Sequence, residues 1–126
     1  MSRRRIDNSV PTADVVITNP THYAVAIKYD LSRAGAPFVV AKGEDEMALR
    51  IQAIARQNDI EVLNLPPLTR AVYFNTRVDQ EVPGPLFVAI AHVLTYVMQL
   101  KEYKRDRKVK PTPLPPIAIP KALRHD

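Results

Sequence analysis

The residues best suited to chemistry in this 126-residue sequence stand together at Asn19-Pro20-Thr21-His22. In most Asn-X pairs, the backbone nitrogen of the next residue attacks the asparagine side-chain amide and deamidates it. Proline has no N–H, so that route is closed at Pro20. The route that remains is attack by the Asn19 side-chain nitrogen on the Asn19 carbonyl carbon, which closes a succinimide ring and expels the Pro20 nitrogen. The motif therefore predicts that the chain can cut its own backbone between Asn19 and Pro20.

This reaction depends on the fold, because a side-chain amide is a poor nucleophile. The fold must hold the attack geometry, supply donors to the developing oxyanion and strain the loop. His22 is close enough in sequence to accept a proton or orient the amide, or it is a hydrogen-bonded loop histidine. Thr21 is expected to hydrogen-bond within the turn. Asn-Pro is also an ordinary turn sequence, in which asparagine bonds its own backbone and proline fixes φ.

Other kinds of site are not predicted, and we expect no metal and no cofactor. The sequence has no cysteine, which excludes disulfides, thiol nucleophiles and thiolate metal sites. The three histidines are too dispersed along the chain to suggest a metal site. The apolar stretch 85–100 is interrupted by polar residues and falls short of the ~20 residues that a membrane span needs. No signal peptide is recognised either, so the chain as written is expected to be soluble.

The charge of the chain is uneven. The net charge is +5, but residues 6–100 carry −3, so the basic residues lie at the two ends. Basic ends are commonly solvated tails, and in other proteins they meet nucleic acid or an anionic membrane. Nucleic-acid binding is disfavoured here, because the central part is acidic and the basic run 101–110 contains one aromatic residue, Tyr103.

The elements that must position Asn19 are predicted from hydrophobic periodicity. The β-branched run 14–18 and the alternating run 23–29 predict strands on either side of the motif. Further strands are expected at 38–41 and 60–65. A helix is expected at 44–58, where Glu44, Asp45 and Glu46 place negative charge in the first turn. Further helices are expected at 68–76 and from Pro83 onward. Residues 3–9 are expected to form an extension or a helix. The fold class is α/β: a small four-stranded sheet flanked by about four helices, with a proline-rich C-terminal tail.

The last helix and the tail are expected to behave differently. The helix carries an apolar stripe of Leu86, Ile90, Val93, Val97 and Leu100, widened by Phe87, Leu94 and Met98. Residues 111–120 contain five prolines, which forbid a regular hydrogen-bond ladder. We therefore divide the chain into a linker (1–10), a globular domain (11–103) and a basic, proline-rich flexible tail (104–126). Deleting 111–126 is expected to leave the melting temperature nearly unchanged.

Several separated motifs follow one another in a recognisable order. They are the run 14–29 around Asn19-Pro20-Thr21-His22, Ala41-Lys42-Gly43, the helical segment 47–54, the segment 66–73 with its paired prolines, and Val82-Pro83 before the last helix. Together they resemble the cytosolic domain of the FlhB/YscU type III export switch family, in its flagellar branch, over roughly residues 11–103. Such a set of motifs is far more specific than the tetrapeptide alone.

The resemblance implies a domain at the cytoplasmic face of the bacterial inner membrane, belonging to a protein whose N-terminal membrane part is absent here. A single-turnover cut at Asn19-Pro20, by asparagine cyclisation, would leave two pieces in one sheet and let the export apparatus change from rod and hook to filament substrates. Implied partners are the export-gate protein, the hook-length control protein and export substrates, with no nucleic acid. The implied partner-binding residues are Pro66, Pro67, Leu68, Arg70 and Tyr73.

Two alternatives remain open from the sequence. One is a docking module for export substrates that never cuts itself. The other is the equivalent switch protein of a virulence injectisome.

Overall fold

The computed structural model describes residues 1–33 and 35–125. Four strands, β1 (Val15–Asn19), β2 (Tyr23–Lys28), β3 (Phe38–Glu44) and β4 (Val62–Asn64), form one sheet in the order β3-β2-β1-β4. β1 pairs antiparallel with β2 and parallel with β4, and β2 pairs antiparallel with β3. The two strands that flank the Asn-Pro motif are therefore the central pair of the sheet.

Four helices cover the sheet within the described part of the chain. They are α1 (Arg3–Ser9), α2 (Glu46–Gln57), α3 (Pro66–Asn75) and α4 (Phe87–Asp106), and short 3₁₀ turns lie at Val10–Thr12, Gly84–Leu86 and Lys121–Leu123. Apolar side chains of α1 and α2 pack on one face of the sheet, and those of α3 and α4 pack on the other. The predicted α/β class, with a four-stranded sheet and four helices, is confirmed.

Both faces of the central strands are buried, which explains their continuous apolar sequence. In β2, Val25 and Ile27 belong to the core under α3 and α4, whereas Ala24 and Ala26 belong to the core under α2. In β1, all three residues of the run Val15 to Ile17 are fully buried. This double burial fixes the positions of β1 and β2 from both faces of the sheet.

The junction between β3 and α2 is tighter than the sequence predicted. Glu44, expected in the first turn of the helix, is instead the last residue of β3 and pairs with Tyr23, because the ladder with β2 continues that far. Gly43 allows the close approach that follows, since a Cβ there would lie 2.7 Å from the Cβ of Met47. Asp45 makes the turn with φ at +51°, a left-handed conformation that a residue with a side chain rarely adopts.

Helix α4 buries a narrower stripe than predicted. Within the expected stripe, Leu86, Ile90, Val93 and Val97 are buried. The widening residues Phe87 and Met98 are exposed, because only one side of the helix faces the sheet. With its preceding 3₁₀ turn the helix runs from Gly84 to Asp106 and contains an 18-residue stretch with a mean hydropathy of 1.2, so by length and composition alone it could cross a membrane. A core helix of a globular protein passes the same test.

The proline-rich segment packs on the domain, although we expected it to bury little. Ile119 is 5% exposed and joins the core under α3 and α4, with Leu114, Ile117 and Leu123 partly buried around it. An extended chain can place apolar side chains in a groove without a hydrogen-bond ladder of its own, which is how proline-rich segments bind. The N-terminal ten residues also pack, since Ile6 is fully buried.

This packing predicts that the tail contributes to stability, whereas the sequence alone predicted that it is dispensable. Replacing Ile119 by alanine should lower the free energy of unfolding by about 2–4 kcal/mol, the usual cost of removing a large buried side chain. The matched control is Val109→Ala, where the side chain is 76% exposed and the change should stay within about 0.5 kcal/mol. Denaturant unfolding followed by circular dichroism measures both. Equal stability of the two variants and of a chain lacking 111–126 would show that the tail is detached in solution.

Candidate self-cleavage site

Asn19-Pro20-Thr21-His22 forms the tight connection between the two central strands. Asn19 ends β1 and Tyr23, its register partner, begins β2, so only three residues make the connection. The His22 backbone N–H donates to the Asn19 carbonyl oxygen across 2.8 Å and closes the turn. Asn19 is partly buried, and the other three residues are exposed. The carbonyl at the predicted cleavage position therefore already accepts a hydrogen bond within the turn.

The turn is also held from outside by two contacts that sequence reasoning missed. The side-chain amide nitrogen of Gln52, on α2, donates to the Pro20 carbonyl oxygen across 2.6 Å. The Asp45 backbone N–H donates to the His22 carbonyl oxygen across 2.9 Å. The left-handed conformation of Asp45 lies at this second contact, so backbone strain is located beside the candidate site.

The side chains of the turn make few contacts of their own. Thr21 was expected to hydrogen-bond within the turn, but in the described residues its hydroxyl makes no hydrogen bond and is exposed. The backbone bond from His22 closes the turn instead. The His22 ring is exposed, 6.4 Å from the Tyr23 ring between centroids. A role of His22 in proton transfer remains a prediction.

An aromatic cluster adjoins the turn on the α3 side of the sheet. The Tyr23 ring lies 4.6 Å from Tyr73 and 5.2 Å from Phe74 between centroids. His125 stacks on Phe74 at 4.3 Å, so the end of the tail completes the cluster. Residues directly opposite in an antiparallel pair share a face, which places Asn19 on the face of Tyr23. The turn is thus bordered by aromatic rings from three separate parts of the chain.

Lys42 is the cation of this cluster. Its Nζ donates to the Tyr73 carbonyl oxygen across 2.7 Å and lies 4.6 Å from the centroid of the Tyr73 ring. Burial lowers the pKa of Lys42 below its ordinary value, since the charged ammonium is partly removed from water. Burial also raises the pKa of the Tyr73 hydroxyl, with smaller contributions from Glu44, Tyr23 and Asp45. Tyr73 therefore remains a neutral phenol at physiological pH.

The predicted partner-binding residues lie along α3 in different environments. Pro66 and Pro67 form its first turn, where a missing N–H costs nothing. Leu68 is only 1% exposed and packs in the core, whereas Arg70 and Tyr73 are partly buried. A cleft of about 420 Å³ separates the start of α3 from tail residues 114–117. Of the five residues, Pro67 offers the most open surface.

The fold and the turn define a small mixed α/β domain whose two central strands are joined by an Asn-Pro turn. The model of the FlhB–HrpN–YscU–SpaS family matches residues 1–97. The chain therefore belongs to the FlhB–HrpN–YscU–SpaS family, as its motifs suggested.

Individual relatives agree with this membership. The flagellar biosynthetic protein FlhB of Escherichia coli is 46% identical over 125 residues, which are 97% of this chain and 32% of that protein. The cytoplasmic domain of FlhB from Shewanella putrefaciens superposes with a TM-score of 0.92 at 47% identity, over 98% of this chain and 96% of that one. An asparagine-to-alanine variant of the EscU C-terminal domain superposes with a TM-score of 0.68 at 30% identity, over 71% of this chain and 89% of that one. The chain spans about a third of the length of the curated relatives it matches.

Proposed function

We propose that this domain cuts its own backbone once, between Asn19 and Pro20, and that the cut is part of a substrate-specificity switch in flagellar type III export. The observation that carries the proposal is the turn between the two central strands, where the Asn19 carbonyl oxygen accepts the His22 backbone N–H at 2.8 Å. That hydrogen bond polarises the carbonyl that the Asn19 side chain would attack. No metal or cofactor is needed for this step.

The reaction balances within the turn. A bond forms between the Asn19 side-chain nitrogen and the Asn19 carbonyl carbon, and the bond from that carbon to the Pro20 nitrogen breaks. One amide proton is lost and the Pro20 nitrogen gains one, with His22 or water carrying it. The products are residues 1–19, ending in a succinimide, and residues 20–126, beginning with the secondary amine of Pro20.

The turn supports this reaction in two physical ways. First, the His22 N–H is a fixed donor at the oxygen where negative charge develops, and removing one such donor from an enzyme costs about 10²–10³ in rate. Second, both flanking strands are in the centre of the sheet, so the backbone carbonyl carbon of Asn19 is held on a rigid frame. Exposure of Pro20 lets water reach the departing nitrogen.

Family membership and the names of the relatives support a proposed cellular role. We place the domain on the cytoplasmic face of the inner membrane, as part of a longer protein that contacts the export-gate protein, the hook-length control protein and export substrates. The flagellar branch is favoured over an injectisome, because identity and coverage are higher with the flagellar structure than with EscU. A non-cleaving docking module is the second candidate, favoured by the cleft between α3 and the tail.

A secretion assay tests the switch. In cells whose full-length protein carries Asn19→Ala, we expect rod and hook proteins to reach the medium and filament protein to be nearly absent. The reason is that the uncut turn is proposed to keep the domain in the conformation that accepts rod and hook proteins. Immunoblots of culture medium measure both classes, with the exposed-site variant Val109→Ala as the control. Normal filament export by a chain that stays whole would show that the change of substrates does not require the cut. That result would favour the docking module.

A further inference from the structure

We infer that Gln52 is a positioning residue for the cut: its side-chain amide holds the Pro20 carbonyl and thereby fixes the leaving group. This inference rests on the proposed self-cleavage. The contact joins Nε2 of Gln52 to the Pro20 carbonyl oxygen at 2.6 Å, and the Gln52 residue is 7% exposed. The donor is therefore shielded from water, where a hydrogen bond is electrostatically stronger than at the surface.

The contact has a specific effect on Pro20 because of proline's ring. The ring already fixes φ near −65°, so ψ is the remaining soft dihedral of this residue. The direction of the Pro20 carbonyl sets ψ, and Gln52 holds that carbonyl. With both dihedrals determined and the carbonyl held by Gln52, the Pro20 ring and its nitrogen, which is the leaving group, are held in one position relative to α2. A misplacement of about 1 Å at such a centre can cost 10²-fold in rate.

Helix α2 is a rigid platform for this donor. Its residues Ala48, Ile51 and Ala55 are fully buried against the sheet, and Gly43 lets the helix start close to β3. The residue that precedes this helix is joined to the turn at a second point, since the backbone N–H of Asp45 donates to the His22 carbonyl oxygen. The carbonyls of Pro20 and His22 are therefore tied to α2 and its N-cap residue, and the carbonyl of Asn19 is tied within the turn.

A packing role alone does not account for glutamine at this position. The neighbouring buried residues of α2 are apolar, and a buried amide is costly unless it is hydrogen-bonded. Methionine or leucine would fill the same space without that cost. The function that remains for the amide is donation to Pro20.

The test compares cutting rates of newly made chains. Cell-free synthesis with a short pulse of labelled methionine supplies uncut chain, and denaturing electrophoresis during the chase follows loss of the 126-residue band. Gln52→Met keeps the length of the side chain and removes the donor, and Gln52→Glu keeps its shape but cannot donate when ionised. We expect both to cut about tenfold more slowly than wild type. Gln52→Arg, a long donor, should restore the rate to within about threefold.

Stability is measured separately, as the melting temperature of each variant combined with Asn19→Ala so that no cutting occurs. Slow cutting by Gln52→Met and Gln52→Glu at near-normal melting temperature, with recovery in Gln52→Arg, supports the inference. Wild-type rates in both donor-less variants overturn it and leave self-cleavage standing. A rate loss that only follows the melting temperature, with no recovery by arginine, also overturns it. A wild-type chain that never cuts removes both the inference and the proposed function.

Discussion

Replacing Asn19 by alanine is expected to leave the chain whole, with cutting slowed by about a thousandfold or more. The variant keeps the strands, the turn and the hydrogen bond from His22, but it has no side-chain nitrogen to attack the carbonyl carbon. Loss of the nucleophile removes the reaction path itself, whereas loss of a hydrogen-bond donor would remove only part of the stabilisation of the transition state. Intact mass under denaturing conditions, after prolonged incubation at neutral pH, measures the outcome.

Pro20→Ala is the matched control for that variant. It retains the Asn19 nucleophile but adds a backbone N–H at residue 20, which reopens the deamidation route that proline closes. We expect slower cutting together with a product that has gained the mass of one deamidation. Cutting of Asn19→Ala at the wild-type rate would show that the bond is broken by another nucleophile or by a contaminating protease.

The two pieces are expected to stay together after the cut. Residues 1–19 supply all of β1, which pairs with β2 on one side and with β4 on the other. Five apolar side chains of this piece are fully buried: Ile6, Val10, Val15, Val16 and Ile17. At about 1.5–3 kcal/mol each, their burial contributes on the order of 10 kcal/mol. That free energy supports a dissociation constant in the micromolar range or below, after the cost of association.

Gel filtration of the cut protein in plain buffer measures this association. Residues 1–19 should elute with residues 20–126 and separate only in denaturant, at the concentration that unfolds the domain. Ile6→Ala is expected to weaken the complex, because it removes one of the five buried side chains. Elution of the short piece by itself from the native protein would contradict the shared sheet.

The central strands of the sheet and the position of the Asn-Pro turn between them were predictable from local sequence. The β-branched run before Asn19 and the alternating run after Pro20 specify two strands, and a break of three residues leaves a tight turn as the simplest connection. The closure of the ordinary deamidation route at Asn-Pro follows from the missing N–H of proline, which is a covalent property, whereas the predicted cut also depends on the fold. The apolar spacing of the last helix likewise predicts the residues that it buries, from Ile90 to Val97.

Sequence-based prediction failed where tertiary contacts override the structure that the local sequence favours. Glu44 has the charge favoured at a helix start, but pairing with Tyr23 keeps it in β3. The tail has the composition of a flexible segment, but a groove on α3 and α4 buries Ile119. The contact of Gln52 with Pro20 could not be predicted, because the sequence does not show which carbonyl a glutamine on a helix will face. Each of these features depends on residues that are distant in sequence.

The intact mass of the purified wild-type chain under denaturing conditions decides most directly whether the Asn19–Pro20 bond is cut. We expect two species, residues 1–19 and residues 20–126, with the longer piece beginning at Pro20. The same sample should give a single peak on native gel filtration. A single mass equal to that of the whole chain, unchanged after long incubation at neutral pH, would contradict self-cleavage.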